Sequence, residues 1–411
     1  MSIPDHGALT CAVEGDSFRL AFKDKRRQAV GAVLPALAAR LKKNGDRAVG
    51  EQIPRWLDQM AALPEQAARD LVTSPMFGYW WLRLSQTYRQ GDAGALLSQA
   101  VHFPRFLAAA SMRHGLAFDG LRLAVSADGW LRLPGWPLRI PLPAGADVVA
   151  ASDGETVTLA VGPDGDAGSV WISVQEETVT GAEPSRVPSV RPGIWVDGAD
   201  PWVTEYLAVA NANTRAEGGR GDATAVPPDA TYLKLLQDAI NLLGRSWPEM
   251  HAELGEVVRQ VVPFESLEVA AFSNSALDGV VFLRTDLGDV PTVIERLVHE
   301  TAHLRLNDLF ALFELHEHAP DERVPSPYRG TLRPVDGLFH GAFVFARIGT
   351  ALARTYETTG ESAYLNRLRE VLKLQDEALE IIDDSVRLTE RGSAIFAEIR
   401  TETERLERAA A

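Results

Sequence analysis

The spacing of apolar residues changes twice along the chain. From about Phe22 to Met112 the pattern is helical: Val30, Val33, Leu34, Leu37 and Leu41 recur at three- and four-residue steps, and Asn44-Gly45 supplies a stop signal. A second helical run covers Ala48 to Ala62, Pro64 begins another, and Ser74-Pro75 opens an aromatic segment, Phe77-Tyr79-Trp80-Trp81, whose large ring area suits a core. Leu96 to Met112 closes this region. Between about Gly120 and Val203 the period becomes two, as in Leu121, Leu123 and Val125, then Leu131 and Leu133, then Leu138, Ile140 and Leu142, then Val157, Leu159 and Val161, then Val170, Ile172 and Val174. Asp128-Gly129, Asp153-Gly154 and Asp164-Gly165 are the expected hairpin turns of a small antiparallel sheet or barrel, which either docks a peptide or shapes a cleft.

Asn211 to Asp229, with Gly218-Gly219-Arg220-Gly221-Asp222 and Pro227-Pro228, has the composition of a loop or linker. Helical spacing returns over Ala230 to Gln260, two strands flank Asn274 to Gly279, and after Arg347 the chain is helical to its end, with charged pairs four apart. The fold expected is α+β, mainly helical, with a β-rich middle and a zincin-like helix in the C-terminal part. It divides into a helical region at 1–115, a β-rich region at 116–210, a linker at 211–229 and a metal-binding catalytic domain at 230–411.

Composition narrows the function. The 411 residues, 46 % hydrophobic and 24 % charged, suffice for two or three domains with real cores. One cysteine, Cys11, excludes an internal disulfide framework and suits a reducing cytoplasm. No stretch has the length of a membrane span. A formal charge of −15 argues against a nucleic-acid surface, and the short Lys23 to Arg27 cluster reads as a solvated helix start.

The chemistry concentrates in His299-Glu300-Thr301-Ala302-His303. Residues four apart share a helix face, so both imidazoles can reach one metal ion with Glu300 beside them. Gly288-Asp289 before Pro291 forms a cap signal, and Ile294, Leu297, Val298 and Ala302 carry a helical apolar stripe. Two neutral imidazoles need a third ligand. The metzincin completion is excluded because Leu306 and Leu309 stand where Gly and His are required. Glu314 and Glu317 lie in an acidic run better read as a solvated face, and His316 and His318 are spaced as in a strand or loop. His340 is the better candidate, on a helix that Asp336 can cap, where His340, Val344 and Arg347 fall on one stripe. A satisfied core histidine beside a structural Arg–carboxylate pair is the competing explanation of the same two residues.

The segment from Phe264 to Thr355 resembles the HExxH-type peptide modification proteins of bacterial natural-product clusters. A Gly-rich strand, the HExxH, a loop with Pro327-Tyr328-Arg329 and Arg333-Pro334, and the run Gly337 to Arg347 carry the likeness. The resemblance implies an iron(II)- and 2-oxoglutarate-dependent dioxygenase that hydroxylates a side-chain β-carbon of a ribosomally made precursor peptide. Three protein ligands leave room on iron for a chelating keto acid and dioxygen. The far carboxylate of 2-oxoglutarate calls for a bidentate cation, Arg347 first, then Arg333, with Arg329 also a candidate. His299, His303 and His340 as ligands depart from the two-His-one-carboxylate pattern, which Asp308 or Asp336 would restore, and three histidines also suit zinc. Glu300 would then orient a ligand or water, whereas in a zinc peptidase it would be the general base. A non-catalytic peptide-binding scaffold is the second alternative. An extended peptide could pair with an edge strand before the HExxH helix, for which Val280 to Leu283 is the expected segment.

Overall fold

The computed structural model describes Leu9, Cys11 and residues 16–43, 47–162 and 168–411. The expected stop at Asn44-Gly45 and the turn at Asp164-Gly165 lie outside the described residues.

In the N-terminal layer, α1 (Ser17–Lys43) buries Val30, Leu34, Leu37 and Leu41 against α2 (Arg47–Ala62). There follow α3 (Glu65–Val72), α4 (Phe77–Gln90), α5 (Ala93–Ala100), which Asp92 caps by accepting the Ala95 N–H at 3.0 Å, and α6 (Phe103–Arg113). The aromatic run is core: Phe77 and Trp80 are buried, and Trp80 stacks on Phe103 at 5.3 Å. The Lys23 to Arg27 cluster is not a solvated start. Lys23 is 2 % exposed and Arg26 reaches Asp278, because acidic groups from other elements converge on this face of α1.

The β-rich middle contains β1 (Phe118–Ala124), β2 (Trp130–Arg132), β3 (Leu138–Pro141), β4 (Asp147–Ser152), β5 (Thr156–Val161), β6 (Ser169–Ser173), β7 (Thr178–Thr180), β8 (Ser185–Arg186), β9 (Ser189–Arg191) and β10 (Ile194–Val196). They form one sheet in the order β1-β4-β5-β6-β7 and a smaller one, β2-β3-β8. Asp153-Gly154 is the expected hairpin turn, joining antiparallel β4 and β5 with Gly154 at a positive φ. Asp128-Gly129 turns the chain between different sheets instead, since β1 pairs with β4 and β2 with β3.

After α7 (Pro201–Ala216) come β11 (Thr224–Ala225), α8 (Ala230–Ser246), α9 (Pro248–Val257), β12 (Gln260–Glu265), β13 (Ala271–Ser273), β14 (Val280–Arg284), α10 (Val290–Leu312), β15 (Arg323–Ser326), β16 (Thr331–Pro334), α11 (Val335–Thr359), α12 (Ser362–Ser385) and α13 (Glu390–Ala410). The linker expected from Asn211 therefore begins inside α7. The boundary expected at 210 does not separate the layers either, because β9 and β10 join the central sheet in the order β13-β14-β12-β10-β9.

That central sheet sorts its side chains by alternation. Val261, Val281 and Leu283 face the core shared with α8 to α13, while Val262, Phe264, Val280 and Phe282 face the core of the N-terminal helices and the β-rich middle. Parallel pairing of β12 with β14, both covered on each face, explains their nearly continuous apolar sequences. Among the described residues no helix is long and apolar enough to cross a membrane.

Candidate metal centre

Strand β14 leads straight into α10. Gly288 turns the chain at a φ of +83°, Asp289 caps the helix by accepting the Thr292 N–H at 2.9 Å, and Pro291 sits in the first turn where a missing N–H costs nothing. Val293, Ile294, Leu297, Val298 and Ala302 bury one stripe in the C-terminal core. The helix is thereby rotated so that His299 and His303 share a half-buried face, with ring centroids 4.8 Å apart and their Nε2 atoms 3.1 Å apart. Two imidazoles on one ion, each at about 2.0–2.1 Å, hold their donor atoms roughly 3.0–3.4 Å from each other, so the pair matches the bite of a chelate.

The third imidazole comes from α11. His340 lies edge-on to His303 at 5.2 Å and to Phe310 at 5.1 Å, and its Nε2 is buried without a hydrogen-bond partner. A buried ring nitrogen left unbonded costs free energy of about 1–3 kcal/mol. With its proton on Nδ1, that ring would offer the Nε2 lone pair to a cation beside His303, and this orphaned atom is the observation on which a metal fits. The three rings adjoin without forming a finished cage: among the described residues no three His, Cys, Asp or Glu side chains converge at ligating distance. Burial holds the imidazoles neutral, as ligands must be. It depresses His299 well below the usual value, aided by charge repulsion from His303, Arg296 and Arg329, and pushes His303 down to about 4 and His340 to about 3.

Glu300, 2 % exposed, turns from the ring pair toward β13, where the Ser273 hydroxyl donates to Oε2 at 2.8 Å. Burial raises its carboxyl to about 7, with the Ser273 hydrogen bond and the charges of Arg296 and Arg329 opposing. Its Oε1 stands 4.0 Å from His299 Nε2. Ser273 was not legible in the sequence, because nothing local marks a serine 27 residues upstream as Glu300's partner.

The loop expected between Ser326 and Pro334 is a β-hairpin, β15 with β16, whose turn is closed by the Gly330 N–H donating to the Ser326 carbonyl at 2.8 Å. Tyr328 pins it to α11: its ring packs at 4.3 Å on Phe345, its hydroxyl donates to Gln375 at 2.6 Å, and a Cβ on Gly341 would lie 2.3 Å from the tyrosine ring. Glycine beside His340 is therefore what admits the hairpin. The anchored turn carries Arg329 near the centre, where its charge acts on His299, His303 and Glu300 alike.

The other candidates are seated elsewhere. Arg347, first choice for the co-substrate clamp, is 1 % exposed and donates from Nη2 to Glu253 at 2.6 Å and to the Sγ of Cys11 at 3.3 Å. Its stripe on α11 does include His340, but the side chain extends toward α9 and takes the structural ion pair. Arg333 stands exposed on β16, opposite Val324. Asp308 is held by Arg19 at 2.8 and 2.9 Å, and Asp336, inside the first turn of α11 and not its cap, bonds His316 at 2.6 Å. Neither completes a two-His-one-carboxylate set. His318 is committed on both nitrogens, to Glu322 at 2.8 Å and to the Arg387 N–H at 2.8 Å, while Glu314 and Glu317 are exposed. Val280 to Leu283 is not an edge. It lies between β12 and β13, and β13 is the outer strand because the Ala271–Ser273 hairpin arm covers it.

Compared with protein-family models and with curated proteins, the chain matches none.

Proposed function

We propose that the chain is an iron(II)- and 2-oxoglutarate-dependent hydroxylase of a peptide side chain, acting in the cytoplasm. His299, His303 and His340 would hold the metal on a zincin-like helix and its neighbour. The observation that carries this reading is the partnerless Nε2 of His340, on a ring 5.2 Å from that of His303, whose own Nε2 lies 3.1 Å from that of His299. Iron held there supplies the oxidising chemistry: dioxygen is split between succinate, formed with loss of carbon dioxide, and the C–OH of the product.

The remaining tasks fall to this chain's own residues. Arg329, brought in by the anchored hairpin, offers the forked cation that a far carboxylate requires. Phe310 and the apolar flank of α11 exclude water from one side of His340. Glu300, locked to Ser273, orients groups next to His299. The outer strand β13, which ends at Ser273, supports an extended peptide as substrate, since an edge presents unpaired backbone groups to an incoming strand. A ribosomal precursor is implied by the likeness over Phe264 to Thr355.

Anaerobic protein given iron(II) and 2-oxoglutarate should develop a weak visible charge-transfer band. Admission of air with peptide should then yield succinate and a peptide heavier by one oxygen. A zinc peptidase is the second reading, favoured by the Glu300 carboxyl near 7, where a general base is most effective. Cleaved peptide with zinc, and no band with iron, would establish that alternative in place of the hydroxylase.

A further inference from the structure

The centre has more positive charge than a keto acid needs. Arg329 approaches from the hairpin and acts on His299, Glu300 and His303, whereas a second guanidinium, Arg296, rises from α10 itself. Arg296 precedes His299 by three positions and Glu300 by four, so it is their neighbour on one helix face. Its positive charge acts on both, lowering His299 and opposing the rise at Glu300. Arg296 thus stands one helical turn before Glu300, the residue that Ser273 at the end of β13 bonds.

Arg296 also lacks a committed counter-ion. Its Nε is enclosed without a hydrogen-bond partner. The adjacent Glu295 carboxylate is 4.0 Å from Nη1, beyond hydrogen-bond length, and is already forked by Arg367 at 2.8 and 3.0 Å. The side chain is 32 % exposed, so an incoming group can reach it. A partly exposed guanidinium one turn from His299, whose nearest carboxylate is already taken by Arg367, matches a carboxylate delivered by the substrate.

We propose that Arg296 recognises a carboxylate of the bound peptide, making the substrate class a peptide with Asp or Glu at or beside the modified position. This rests on the hydroxylase reading for the reaction, but not for the binding.

Fluorescein-labelled nonapeptides with degenerate flanks and a fixed central Asp, Asn or Lys serve as probes, titrated into the full-length metal-free protein and followed by anisotropy. The Asp-centred pool should bind about tenfold tighter than the Asn-centred pool, as expected for a charge-assisted over a neutral contact. Arg296→Gln should reduce that ratio to about twofold or less, and Arg296→Glu should turn the preference toward the Lys-centred pool, a gain that misfolding cannot imitate. Equal binding of the pools by the unaltered protein, or an undiminished Asp preference in both variants, overturns the proposal. So does an Arg296→Gln protein whose 2-oxoglutarate affinity falls while its peptide preference stands. With iron, 2-oxoglutarate and air added, the two claims separate. An Asp preference in binding with no succinate from any pool removes the hydroxylase and keeps the Arg296 contact. Succinate formed equally from Asn- and Asp-centred pools keeps the hydroxylase and removes the contact.

Discussion

On α10, Arg305 and Asp308 are almost wholly withdrawn from water, and His299 and His303 lie one or two turns away on the same helix. The two groups are treated oppositely. Arg305 is forked by Asp16 at 2.7 and 3.0 Å, and Asp308 is held by Arg19, which also reaches Asp278 at 3.1 Å. Each buried charge there has its opposite within bonding distance, and the cluster fastens α1 to α10. At the histidines, by contrast, two ring nitrogens have only each other, in one hydrogen bond of 3.1 Å, and the third, on His340, has no partner. A buried charge that meets its opposite is explained by the fold, while a buried imidazole nitrogen with no partner calls for something the chain does not contain.

The sharpest way to break this contrast is to remove a member from each side. His303→Ala should weaken iron(II) binding by about a thousandfold or more, with a smaller but still large loss for His340→Ala, and neither should lower the unfolding midpoint of metal-free protein appreciably. Iron titrated into both variants at unchanged affinity would place the metal, if any, elsewhere. Asp308→Ala should do the reverse. It leaves Arg19 short of a counter-charge in a buried site and should cost about 3–5 kcal/mol in denaturant unfolding, with iron stoichiometry retained in the folded fraction. A cost under about 1 kcal/mol would mean that the cluster is not structural.

Glu300 bridges the two cases, being buried and bonded, yet at a reactive position. Its carboxyl is raised to about 7 in the fold from 4.5, so metal-free protein binds a proton there that the unfolded chain has lost. Its contribution is therefore fully present below about pH 4.5 and declines as pH rises to about 7. Glu300→Gln avoids that decline and should exceed the unaltered protein in stability at pH 8 by on the order of 2 kcal/mol, the difference vanishing near pH 4. A difference independent of pH would show that Glu300 is not held protonated. The smallest effect separates two arginines: Arg329→Lys should raise the 2-oxoglutarate requirement about tenfold, whereas Arg347→Lys should lower thermal stability and leave that requirement unchanged. The opposite result would return the clamp to Arg347.

The parts of the centre that were legible in the sequence are those set by short-range spacing. A cap at Asp289, a proline in the first turn and an apolar stripe at helical period determine where α10 starts and which way it faces, and so bring His299 and His303 together. His340 could be chosen because its own helix is equally regular. Distant pairings were not legible. That Arg347 would be taken by Glu253 depends on α9, 94 residues away, and that the charge of Arg329 would act on the histidines depends on Tyr328 fitting against the bare Cα of Gly341. The mistaken edge strand has the same cause: both strands around Asn274 to Gly279 are expected from the sequence, but that β12 would cover the other side of β14 and leave β13 outermost depends on long-range pairing. Likewise Lys23 and Arg26 read as a solvated charge run until Asp278, Asp70 and Glu256 are known to face them. Arg296, on the other hand, stood in plain sight three residues before His299.

X-ray absorption at the iron edge of the anaerobic iron(II) protein tests the central claim most directly, because imidazole rings scatter in a pattern that carboxylates do not. The account predicts three imidazoles in the unaltered protein and two in His340→Ala. Two imidazoles in both proteins, or a carboxylate in the third position, would contradict it.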